Sequence, residues 1–137
     1  MKTALDAADG LLKRAQAAGI RDVVYFFYPY VPENRLIGGP HPNEILDYSL
    51  PMVRDFCNGT EAKTNGKMRC HFIDMVPVFK DHTPEIPGSM IKAGSDADWF
   101  NGDIHPNEKG SQGMVDVIWK LMVDRCLGQK DKDCCEP

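Results

Sequence analysis

"RDVVYFFYP", residues 21–29, is a run of β-branched and aromatic residues closed by a proline, with no charge between Val23 and Phe27. An unbroken apolar run of this kind predicts a strand covered on both faces, as in a parallel sheet, rather than a strand with one wet side. The segment before it is helical in pattern. Ala4, Leu5, Ala8, Leu11, Leu12, Ala15 and Ala18 share one face over 3–18, Thr3 and Asp6 stand as in a capping box, and Gly19 stops the helix. Helix, glycine and buried strand make half of an α/β unit.

Working outward, "YVPENRLIGGPHPN" at 30–43 holds three prolines and two glycines, so it reads as a loop leaving the carboxyl end of that strand. Open α/β sheets bind ligands at that end, and Tyr28, Tyr30 and Leu36 are candidate walls of a substrate pocket, although the stretch reads equally as an ordinary surface loop. Asn43 is placed to cap a helix over 44–57, with Ile45, Leu46, Leu50, Val53 and Phe56 on its buried face and Pro51 expected to kink or divide it. After an Asn65-Gly66 turn, "MRCHFIDMVPVF" at 68–79 predicts a second buried strand ending near Asp74. Residues 80–102 show no period and form a long loop. A last helix spans about 107–126, burying Met114, Val115, Ile118, Leu121 and Met122, before a polar tail at 127–137. The order α-β-α-β-α predicts one α/β domain with a small parallel sheet between helices, a three-layer α/β/α arrangement with an edge left open.

Composition narrows the function. A net charge of −4 with no Lys/Arg-rich run gives no footprint for nucleic acid. No apolar run approaches the roughly 20 residues of a membrane-spanning helix, and the charged amino-terminal segment is no signal peptide. Of the five cysteines, Cys57 and Cys70 bracket a polar segment that returns the chain on itself, which makes a disulfide plausible and favours an oxidising compartment. Cys126, Cys134 and Cys135 leave their pairing open. Asn58-Gly59-Thr60 matches the glycosylation pattern, a match short enough to arise by chance.

The chemistry centres on "FNGDIHPNEKG", 100–110. His105 stands where the loop meets the last helix, with Pro106 suited to its first turn, and Asp103 lies two residues earlier, on the same side of an extended segment. An acid that orients an imidazole is what a general base requires. The same residues also read as the solvated start of a helix, with Asp103, Asn107 and Ser111 serving as caps. A zinc site drawn from His71, Asp74, His82, Asp103 and His105 is the weaker reading, because no pair has tight helical spacing.

"GDIHPNEKGSQGMVDVIW", 102–119, resembles the last block of the SGNH (GDSL-type) ester hydrolases, where an Asp-x-x-His-Pro-Asn run followed by Gly opens the C-terminal helix. "VVYFFYP" and "CHFIDMVPVF" resemble the later strands of that fold, so the likeness covers most of residues 3–126. It implies a doubly wound, flavodoxin-like domain of which 1–126 is a part. It also implies a Ser-His-Asp triad with His105 as base. The family's acid lies three residues before the histidine, where this chain has Gly102, so Asp103 is the first candidate and Asp98 and Asp96 are its rivals. The family's nucleophile stands in a Gly-Asp-Ser block, and its oxyanion donors in two further blocks, none of which occurs here. Ser49, Ser89, Ser95 and Ser111 have no such setting, and there is no Gly-x-Ser-x-Gly elbow.

The expectation is therefore the C-terminal part of a secreted or periplasmic esterase or lipase. It would act on a small-molecule or lipid ester without metal or organic cofactor. The alternative is a catalytically incomplete chain that self-associates, as a homodimer, through its open sheet edge.

Overall fold

The computed structural model of the chain describes residues 2–33 and 42–128. Among them the order is α1 (Lys2–Ala17), β1 (Asp22–Phe27), α2 (Pro42–Asn58), α3 (Thr60–Lys63), β2 (Arg69–Asp74), α4 (Val76–Phe79) and α5 (Glu108–Asp124). The two strands pair in parallel as one sheet, and the chain is mixed α/β. It divides into two compact units, residues 1–27 with 47–73, and residues 28–46 with 74–137.

The first unit holds α1, both strands up to Ile73, most of α2, and α3. Its interior gathers Phe27, Phe56, Met68 and Ile73. Cys57 and Cys70 form a disulfide that ties the end of α2 to β2, as the sequence suggests. Thr60 and Thr64 are buried because each hydroxyl returns to a carbonyl one turn back, Phe56 O at 3.1 Å and Thr60 O at 2.8 Å, so no polar atom is stranded. Thr60 is thereby committed to the fold, and its hydroxyl is not displayed beside Asn58.

Several details differ from the sequence expectations. β1 is not covered on both faces: Tyr25 and Phe26, on alternate sides of the strand, are 36% and 43% exposed. α2 runs unbroken through Pro51, which lies on an exposed face of the helix. Ile45 and Val115, expected inside, lie on exposed helix faces. Asn43 sits inside α2 rather than capping it. Its amide takes the Val31 N–H at 2.9 Å and donates to Val31 O at 3.0 Å, closing a buried clamp within the second unit.

The second unit is built around Phe79 and Met75, both fully buried, with Val31 and Phe100. Phe79 meets the Trp99 ring edge-on at 5.2 Å and the Phe100 ring at 5.6 Å. β2 ends at Asp74, as the sequence predicts, and α4, a single turn just after it, places Phe79 there. Residues 80–107 contain no regular element, in keeping with the long loop read from the sequence. That loop carries the candidate site at its end, just before α5. No helix among the described residues is long and apolar enough to cross a membrane.

Candidate active site

His105 is held by a loop that is pinned at its base. Phe100 and Pro106 form an antiparallel bridge, Asn107 N–H donates to Trp99 O at 2.8 Å, and Asn101 N–H donates to His105 O at 3.0 Å. Asn107 is the N-cap of α5: its side-chain oxygen accepts from Gly110 N–H at 3.0 Å, while its amide donates to Asp98 O at 2.7 Å. Pro106 precedes this cap instead of occupying the first helical turn, so its ring closes the loop rather than opening the helix.

Asp103 and His105 come together. One carboxylate oxygen accepts the His105 backbone N–H at 2.7 Å, and the other meets Nδ1 of the ring at 2.9 Å. A carboxylate is acceptor-only, so the proton in this contact lies on Nδ1, and in the neutral ring the lone pair is then on Nε2. The side chains are 70% and 54% exposed, so the ring is open to an incoming group. Gly102, where the family pattern has its acid, adopts φ +85°, a left-handed conformation that L side chains rarely adopt. A carboxylate at 103, on the next residue, reaches the imidazole without that strain.

The rival acids are engaged elsewhere. Asp98 is buried, and its two oxygens accept the N–H groups of Gly94 at 2.8 Å and Phe100 at 2.9 Å, which makes it an organiser of the loop. Asp96 is fully exposed and pairs with Lys109 at 3.0 Å. Among the described residues no three His, Cys, Asp or Glu side chains converge as metal ligands. His71 is bound to Asp22, and His82 lies flat on Trp99 with ring centroids 3.6 Å apart.

Tyr28, read from sequence only as a pocket wall, has a further role. Its hydroxyl donates to Ile104 O at 2.8 Å, between the acid and the base. Burial, and then the negative charge of Asp103, push its phenol above the ordinary value, so the hydroxyl stays a donor. The sequence offers no sign of this strut, because 76 residues separate its ends. Tyr30 lines a cavity of about 430 Å³ together with Val76, Pro77 and Ile86. Leu36 lies outside the described residues. The chain matches no family model, no curated protein and no solved structure.

Proposed function

We propose that this chain carries the His-Asp part of a serine-type carboxylic ester hydrolase of the SGNH kind. The observation that supports this most is the Asp103–Nδ1 contact on an exposed, loop-held imidazole, which leaves Nε2 free of that carboxylate. In this reading Nε2 of His105 takes the proton from a serine hydroxyl as it attacks the acyl carbon. It then returns that proton to the leaving alcohol, while Asp103 holds the ring and offsets the imidazolium charge. In this reading the serine and the oxyanion donors belong to blocks of the Gly-Asp-Ser kind, which these 137 residues do not contain. The sheet is then part of a three-layer, doubly wound arrangement. The Cys57–Cys70 disulfide suits a secreted or periplasmic setting.

The test is hydrolysis of p-nitrophenyl butanoate by the full-length gene product. His105→Ala is expected to lower kcat/KM by about 10²–10⁴-fold with the fold retained, since the ring is mostly exposed. Activity indifferent to His105→Ala would remove this residue from the mechanism. Turnover that a chelator stops would point to metal-assisted hydrolysis instead.

A second reading has its own support. The exposed Tyr25 and Phe26 of β1 suit a catalytically incomplete chain that pairs with a second copy through its open sheet.

A further inference from the structure

The two connections that lead into the strands meet at a pocket of about 390 Å³ in the first unit, lined by Gln16, Gly19, Ile20, Arg21, Gly66 and Lys67. Its volume falls within the range of small-molecule sites. Arg69 N–H donates to Arg21 O at 2.7 Å, so the connections are joined just where β1 and β2 begin. Gly19 and Gly66 turn the chain there at φ +79° and +72°, in the left-handed region that favours glycine, and neither fills the space with a side chain.

In a chain of net charge −4, this lining carries two cations and no carboxylate. Among the described residues neither the Arg21 nor the Lys67 side chain has a hydrogen bond or an ion pair, whereas Arg69 is held by Asp22 and Lys13 by Asp9. The carboxyl end of α1 would oppose an anion if its last carbonyls were bare. Instead Gly19 N–H donates to Gln16 O and Ile20 N–H to Ala15 O, each at 3.0 Å, and Lys67 N–H donates to Thr64 O at 3.2 Å. The lining therefore offers two unpaired positive charges, one side-chain amide and the half-exposed Ile20.

We propose that this pocket binds a small, soluble phosphate monoester. Such a group carries close to two negative charges at neutral pH and three acceptor oxygens. The guanidinium fork of Arg21 suits paired phosphate oxygens, and the Lys67 ammonium adds a point charge. A carboxylate brings only one charge to two cations, and a neutral molecule leaves both unanswered. The organic part of the ligand lies against Ile20 and Gln16. The site stands at the amino ends of the strands and does not depend on the ester-hydrolase reading.

Glycerol 3-phosphate, titrated at low ionic strength into the isotopically labelled chain, tests this by backbone amide shifts. Saturable shifts are expected at Gly19, Ile20, Arg21, Gly66 and Lys67, with none from glycerol. Dimethyl phosphate, which carries a single charge, is expected to bind at least fivefold more weakly. Arg21→Gln and Lys67→Gln, both at exposed positions, are each expected to weaken binding about fivefold, the upper end for an exposed charge contact. Lys67→Arg is expected to retain binding, and Lys92→Gln, which removes an exposed cation outside the pocket, to leave it unchanged. If a glutamine variant fails to fold, Ile20→Glu gives the loss instead, by setting an acid in the same wall. No saturable shift at these residues, equal binding of dimethyl phosphate, or an equal loss from Lys92→Gln would overturn the proposal. So would binding confined to vesicles that contain phosphatidic acid, which would assign the two charges to a lipid surface.

Discussion

Asp22 joins the two strands of the first unit through side chains. It accepts from Nε2 of His71 at 2.9 Å and from the Arg69 guanidinium at 2.8 and 3.1 Å. Burial alone would raise its carboxyl, but the hydrogen bonds and charges of Arg69 and His71 outweigh it and leave the group below its ordinary value. A depressed folded value means that the ionised carboxylate stabilises the fold above the unfolded value of about 3.9, and that this contribution fades as pH falls through the lower folded value. Asp22→Asn is therefore expected to cost about 1–2 kcal/mol at pH 7, with the gap to wild type closing below about pH 4. Urea unfolding at pH 7 and pH 2.5 reads this, and an equal gap at both would refute the electrostatic account. The contrast with His105 is instructive. Both histidines meet an aspartate at 2.9 Å, but the His71 side chain is 13% exposed and the His105 side chain 70%, so the first pair braces strands and the second is open to chemistry. Only the second was legible from the sequence. Residues 103 and 105 are neighbours in any extended loop, whereas 22 and 71 meet only after the strands have paired.

At the scale of elements, the start of α5 is fixed by contacts that a helical wheel does not contain. A Cβ added at Gly110 would lie 2.5 Å from the Trp99 carbonyl oxygen and 3.0 Å from Pro106 Cβ, and one added at Gly113 would strike the Trp99 ring. Both glycines lie within a helix, where alanine is favoured by about 1 kcal/mol. Here the loop that carries His105 packs so closely that the preference is reversed. Gly110→Ala is expected to destabilise the chain by about 1–2 kcal/mol net, overpacking outweighing propensity. Thermal unfolding followed by circular dichroism measures it, and a stabilised variant would show that the loop yields instead. The long elements were readable: α1, α5 and both strands follow from periodicity and from apolar runs bounded by glycine and proline. The single turns α3 and α4, four residues each, have too few positions to show a period. Asn43 had the chemistry of a cap, but its use as a clamp on Val31 depends on a contact across 12 residues that no local pattern encodes.

For the molecule as a whole, the two strands and the open edge were legible because only two apolar runs of strand length occur. The division into two units was not, since it depends on which contacts form rather than on composition. In the first unit the Cys57–Cys70 bond closes a short loop, with a sequence separation of 13, around α3 and the turn that leads into β2. Chain-entropy reasoning gives such a cross-link about 3 kcal/mol, so Cys57→Ala with Cys70→Ala is expected to lose about that much by urea unfolding under non-reducing conditions. The same unit leaves Tyr25 and Phe26 exposed on β1, on opposite faces of a sheet whose outer edges are unpaired among the described residues. Apolar strand surface with open backbone hydrogen-bonding groups is the usual template for association. Sedimentation velocity at micromolar concentration is expected to show a dimer that Tyr25→Lys or Phe26→Lys converts to monomer, because a charge on either face must be desolvated for a second copy to pack. Urea unfolding of the lysine variants separates a broken interface from a broken fold, as both positions are already partly wet and lose little on gaining charge. A wild-type chain that sediments as a monomer across this range would reject the self-associating reading.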